Sequence, residues 1–171
     1  SDIWMGCANA LLTNYWHVNA CGGYNYRSVK DDLTRGGPAT ENPRGNWANL
    51  GFSTDGRKWL SFDMWAGRDW DEQGGFSNNG ELSINVKPLP TLSISSGPSF
   101  QHSIDPAQYL RTEDDATAVA TFGQRYVFGT IEQRRLTLQT RVNWVLNPNA
   151  SLHVYMQPLV AAGRYDDIKE L

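Results

Sequence analysis

Leu136-Thr137-Leu138-Gln139-Thr140-Arg141-Val142-Asn143-Trp144-Val145-Leu146, the bend Asn147-Pro148-Asn149, and Ser151-Leu152-His153-Val154-Tyr155-Met156-Gln157-Pro158 together decide the fold. On both sides of the bend the apolar residues fall mainly on even positions and the polar ones on odd positions. That period of two marks extended strands, whose side chains point alternately to opposite faces. Two antiparallel strands joined by a short Asn-Pro-Asn connection follow.

The same rule reads Leu60, Phe62, Met64 and Ala66 against Ser61, Asp63, Trp65 and Gly67. It reads Leu82, Ile84 and Val86 against Glu81, Ser83, Asn85 and Lys87, and then Leu92 and Ile94 against Ser93 and Ser95. Eight strands are predicted, at 2–12, 15–27, 46–55, 58–70, 76–88, 91–102, 124–146 and 150–163. The parity of 124–146 is unbroken, which predicts one strand of roughly 70 Å, its upper half expected to rise above a membrane. Helix signals are poor. Only Pro106 to Thr121 is expected to carry a helical turn.

Connections are expected to alternate in length. Tight turns are read at Thr13-Asn14, Asp55-Gly56-Arg57, Leu89-Pro90 and Asn147-Pro148-Asn149, and long connections from Ser28 to Gly45, Asp71 to Gly75 and Ser103 to Gly123. Brief turns at one end and larger loops at the other are the pattern of an outer-membrane barrel.

Composition sets the outer bounds. The chain has 171 residues, 40% hydrophobic and 12% aromatic, enough to order itself as one domain. Its formal net charge is -3, with no basic cluster, so nucleic acid is not an expected partner. No run approaches the ~20 apolar residues of a membrane helix. Cys7 and Cys21 are the only thiols, and no Cys or His grouping has metal-ligand spacing; they are expected as two unpaired small residues, with one cross-strand disulfide as the alternative.

Strands with one apolar face either bury it against a second sheet, as a soluble β-sandwich, or turn it to lipid as a barrel. The opposite face carries His17, Asn49, Asp63, Glu81, Lys87, Gln139, Arg141, Asn143, His153 and Gln157, a set suited to a watery lumen. Trp4, Trp16, Tyr24, Tyr26, Trp47, Trp59, Trp70, Tyr126 and Trp144 lie near strand ends, where rings with an apolar body and a polar edge suit membrane interfaces. The barrel is the favoured expectation.

Several stretches carry a resemblance. They are Asp31-Asp32-Leu33-Thr34-Arg35-Gly36-Gly37-Pro38, Ser53-Thr54-Asp55-Gly56-Arg57-Lys58, Gln108-Tyr109, Arg125-Tyr126-Val127-Phe128, then Thr140-Arg141-Val142-Asn143-Trp144 leading through Asn147-Pro148-Asn149 to Ser151-Leu152-His153-Val154-Tyr155-Met156-Gln157-Pro158, and Gly163-Arg164-Tyr165-Asp166-Asp167-Ile168-Lys169-Glu170-Leu171. In this order they resemble the C-terminal part of a bacterial family in which a carbohydrate-binding-module family 9-like β-domain precedes a large outer-membrane β-barrel of unknown function. The resemblance implies an internal fragment of a longer chain, one arc of a wider transmembrane wall in the bacterial outer membrane. It also implies outer-membrane lipid, the remaining strands of the parent chain or other outer-membrane proteins as partners, and a polysaccharide as a candidate ligand.

Chemistry is sparse. There is no Gly-x-Ser-x-Gly, no His-Glu-x-x-His and no phosphate-cradling loop, and neither cofactor nor metal is expected. Asp63 and Glu81 share a face on adjacent strands and form the one candidate catalytic pair, that of a glycoside hydrolase; the plainer expectation is a charged lumen wall with Lys87 and Arg141 as counter-charge. Asp105, Glu113, Asp114 and Asp115 are read as an acidic solvated loop and not a Ca²⁺ site. Arg35, Gly36, Gly37 and Pro38 are expected to shape a loop. A non-enzymatic pore, uptake channel or surface scaffold is the function expected, with a soluble sugar-binding sandwich as the alternative.

Overall fold

The computed structural model describes residues 3–30, 34, 39–121 and 123–170. Its strands are β1 (Ile3–Leu11), β2 (His17–Asn25), β3 (Ser28–Lys30), β4 (Thr40–Asn42), β5 (Gly45–Ser53), β6 (Leu60–Asp71), β7 (Phe76–Leu89), β8 (Leu92–Asp114), β9 (Gln124–Asn147), β10 (Ala150–Met156) and β11 (Leu159–Glu170). The fold is all-β and antiparallel. One sheet runs β1-β2-β5-β6-β7-β8-β9-β10, with β11 also on β9, while β3 and β4 form a separate small hairpin.

The eight-strand meander matches the alternation and the helical turn falls inside the expected segment, with three differences elsewhere that have physical causes. β8 runs twelve residues past its expected end at 102, taking in most of the expected loop; register shifts between Asp105 and Gln108 and between Tyr109 and Arg111 break its parity, so that period two is lost there. The only helical turn among the described residues is Val119–Thr121. The connection from Asp71 to Gly75 is short, closed by Asp71 Oδ1 accepting from the backbone N–H of Gln73 at 2.8 Å and of Gly75 at 2.9 Å. The last strand is interrupted at Gln157-Pro158, because proline has no N–H for the ladder, yet Met156 opposite Thr140 and Leu159 opposite Thr137 keep one register across the gap.

Cys7 and Cys21 are bonded, contrary to the expectation of two separate thiols. The β1–β2 register sets them directly opposite, with Cα atoms 4.1 Å apart, where two cysteines meet without backbone movement.

The registers joining β1 through β10 pair residues of like parity below the bulges. Even-numbered side chains therefore share one face of the whole sheet, and odd-numbered ones the other. The hairpins are staggered by a constant step. Along one row of pairing, Ala10 lies four residues from the centre of its turn, Phe52 six, Leu82 eight and Leu138 ten. Two residues of offset per two strands is ~6.6 Å of rise over ~9.6 Å of width, a lean of about 35°.

The sheet is a single layer over most of its extent. The accessible surface is 11602 Å², against about 8,400 Å² for a globule of this mass. Among the described residues the buried apolar side chains are Tyr126, Val127, Phe128 and Ile131, all in upper β9. There β8, β9 and β11 rise roughly 30 Å beyond the β6–β7 turn. The Tyr109 ring meets Phe128 edge-on at 6.0 Å, and Leu110 lies against Gly129.

Candidate functional site: the polar face

His17, Asn49, Asp63, Glu81, Lys87, Gln139, Arg141, Asn143 and His153 all stand on the odd face, and the continuous register carries Gln157 there too. Their neighbours on that face are small and hydroxylated, above all Ser93, Ser95, Ser99 and Ser103 of β8. The carboxylates Asp63, Asp69 and Glu81 lie on β6 and β7 and the guanidiniums Arg135 and Arg141 on β9, so the serine stripe separates opposite charges.

Few of these groups meet their expected partners. Asp63 Oδ2 accepts from Asn85 Nδ2 at 2.8 Å, from an amide and not a cation. Lys87 reaches to the tight-turn end, donating to the Gly56 carbonyl at 2.8 Å. The Gln139 amide, oriented by its network, accepts from Arg141 Nε and Nη2, both at 2.8 Å, and the guanidinium lies 5.1 Å from the Tyr155 ring centre. His153 Nδ1 bonds Asn143 Oδ1 at 2.8 Å, and Tyr155 donates to Gln157. The expected counter-charges thus belong to local contacts: Lys87 takes the Gly56 carbonyl although Asp63 lies on the adjacent strand and Glu81 on its own, and Arg141 takes Gln139 and the Tyr155 ring, with Glu81 and Asp63 two and three strands away.

Asp63 pairs with Ser83 and Trp65 with Glu81, so Asp63 and Glu81 are diagonal neighbours with backbones roughly 7–8 Å apart. Around them lies a pocket of about 310 Å³, lined by Asn19, Gly51, Asp63, Trp65, Glu81 and Ser83 among others. A larger basin of about 430 Å³ opens nearer the long-strand end, lined by Asn25, Asp69, Ser77, Gln101, Ser103 and Gln133 among others.

Two aromatic rings lie down on this face, which the sequence reading did not bring out. A Cβ on Gly67 would fall 2.8 Å from the Trp65 ring, and one on Gly23 would fall 2.6 Å from Trp47 Nε1. The glycines leave room for rings laid along the sheet. Trp65-Ala66-Gly67 carried that signal, since positions two apart share a face; Trp47 over Gly23 needed the register.

Charged clamps gather at the ends. Glu72, in the β6–β7 turn, accepts from Arg27 Nε at 2.7 Å and pairs with Arg44 Nε at 2.6 Å, while Arg27 also pairs with Glu41 at 3.1 Å. Glu72 thus ties both feet of the β3–β4 connection to the sheet. The Arg27 bond, first among several donors, brings its carboxyl down to about 2. Asp115 takes the Thr117 hydroxyl at 2.6 Å and backbone N–H at 2.8 Å, and pairs with Arg125. Asp105 and Glu113 lie within β8, and among the described residues no group of three or more His, Cys, Asp or Glu side chains is placed to hold a metal. Arg35, Gly36, Gly37 and Pro38 lie outside the described residues.

No family model, curated protein or solved structure matches this chain.

Proposed function

We propose that the chain forms an arc of an outer-membrane β-barrel wall, its even face against lipid and its odd face lining a water-filled, non-enzymatic uptake conduit. One observation carries this reading. Measured from the turn centres, the even positions two to eight residues up are uncharged on all eight strands: Leu60 to Ala66 on β6, Val86 to Leu82 on β7, Leu152 to Met156 on β10, and so on. Charge on that face starts only above, at Arg68, His102 and Arg134. At ~3.3 Å per residue and a 35° lean the belt is about 16 Å tall between its end rows, and about 22 Å separate its lowest row from the first charge at Arg68, ten residues up, close to the ~25 Å apolar height and the strand tilt of outer-membrane barrels.

Three further features support it. Leu136, Leu138 and Trp144 are 52%, 44% and 39% exposed, and such a face has no place bare in water. Ser96 and Thr140, two of the three hydroxyls within the belt, sit opposite one another and bond each other at 2.8 Å, and the third, Thr54, accepts from the Phe62 backbone N–H at 2.8 Å, as polar groups in hydrocarbon must. A disulfide between β1 and β2 suits an oxidising compartment such as the periplasm or cell surface. On this reading the open edges of β1 and of β10–β11 pair with further strands of a parent chain or of another outer-membrane protein.

The test is depth-resolved quenching. In vesicles containing brominated phospholipid, a variant keeping only Trp144 of the seven tryptophans should lose most of its fluorescence, and one keeping only Trp65 should not. A chain that is monodisperse without detergent, with Trp144 unquenched, would overturn the barrel in favour of a soluble sugar-binding module.

A further inference from the structure

We infer that the pocket around Trp65 is a binding subsite for one pyranose unit of a neutral glycan; the inference rests on the reading above only in that the odd face meets water. Sugar rings are bound by two chemistries together. An aromatic face covers their C–H surface, and planar acceptors take their hydroxyl protons, most strongly as carboxylates. This pocket holds both. The Trp65 ring is laid over Gly67 and stays 41% exposed, leaving it able to receive a flat apolar surface. Glu81 stands directly opposite Trp65, and Asp63 one diagonal step away, its carboxylate fixed by Asn85.

The far wall is Asn19, whose amide lies over Gly51, with a Cβ there falling 2.0 Å from Oδ1. Three glycine positions, at 23, 51 and 67, thus hold a tryptophan or an amide flat against the sheet on β2, β5 and β6. The ring over Gly23 lies roughly 12 Å from the ring over Gly67, so a chain of sugars crossing the face meets a second stacking surface. Charge defines the ligand class. Two carboxylates beside the ring repel uronic acids and phosphates, and donors on neutral sugars match them.

Calorimetric titration of the whole chain in detergent micelles, with maltohexaose, cellohexaose and xylohexaose as neutral probes, tests this. At least one should bind, and Trp65→Ala and Asp63→Asn should each weaken it about tenfold or more. Gly67→Val, which pushes the ring off its bed, should do the same with Trp65 intact. Trp144→Phe, on the other face, should leave binding unchanged. Oligogalacturonate and tetramethylammonium are the charged controls. Binding of tetramethylammonium with none of the neutral sugars would replace the glycan by a small cation, and neutral binding indifferent to Trp65→Ala and Gly67→Val would remove the subsite. Either result leaves the quenching of Trp144 by brominated lipid untouched, so the two readings fail separately.

Discussion

β9 is one strand with two opposite environments. In its upper part Val127 and Phe128 are 2% and 7% exposed, while in its lower part the apolar residues Leu136, Leu138 and Leu146 are each about half open. Apolar content alone does not explain the difference, since both parts are apolar; the upper part buries Tyr126, Val127 and Phe128 in succession, on both faces. The upper part has bulged partners, an aromatic contact to Tyr109 and Leu110 laid against Gly129, so it closes a small core of its own. The lower part has strands on both sides and nothing of the described chain above or below. A segment with its own core needs only water around it. On the barrel reading proposed above, the lower sheet instead takes an apolar solvent on one face.

The largest expected effect breaks the upper half. Phe128→Ala should cost about 3–5 kcal/mol of local stability, by lost transfer energy and the cavity left against Tyr109. Hydrogen exchange at the amides of upper β8 and β9 would report it, and protection unchanged there would mean that the small core contributes little. The lower sheet should keep its protection, because Phe128 lies twelve residues along β9 from Thr140, the top of the belt on that strand.

Met64→Arg, six residues up from its turn on β6, sharpens the contrast from the other side. On a soluble surface, a residue 44% exposed tolerates arginine within about 0.5 kcal/mol, whereas at mid-belt in a bilayer the same change costs about 2–4 kcal/mol. Urea titration of the refolded chain in vesicles measures it. A cost near zero would place the even face in water.

The same two regions explain how much was legible in the sequence. Where the pleat is regular, parity alone placed Asp63, Glu81, Arg141 and the others on one face, because a period of two survives any error in strand ends. Upper β8 was hidden because each register shift reverses which parity faces which side, and Asp105-Pro106 reads as a break. The β3–β4 hairpin was hidden because three-residue strands hold too little alternation to count. Cross-strand facts, such as Cys7 facing Cys21 or Trp47 lying over Gly23, depend on a register that no single strand encodes. Asp63 bonded to Asn85, and not to Lys87 or Arg141, was out of reach for a different reason: long cations choose among many nearby oxygens, and spacing does not rank them.

The smallest effect concerns what holds the lower sheet where it has no core. The turn between β5 and β6 is closed by Asp55, whose carboxylate takes Arg57 Nε at 2.8 Å, Nη2 at 2.9 Å and the Arg57 backbone N–H at 3.0 Å. The side-chain bonds from Arg57, and after them its backbone N–H, bring the carboxyl from 3.8 down to about 2. A folded value below the unfolded one means that the ionised carboxylate is favoured by folding. Its contribution is therefore fully present above pH 4 or so and is lost as pH falls through about 2. Carboxyl NMR of Asp55 should show a midpoint near 2, and Gly56 and Arg57 amides should lose protection between pH 4 and 2 while those around Val127 keep theirs. A midpoint at the ordinary aspartate value would mean that Arg57 does not hold the turn, and the tight-turn end would then rest on its other bonds, among them Lys87 to the Gly56 carbonyl and Phe62 N–H to Thr54 Oγ1.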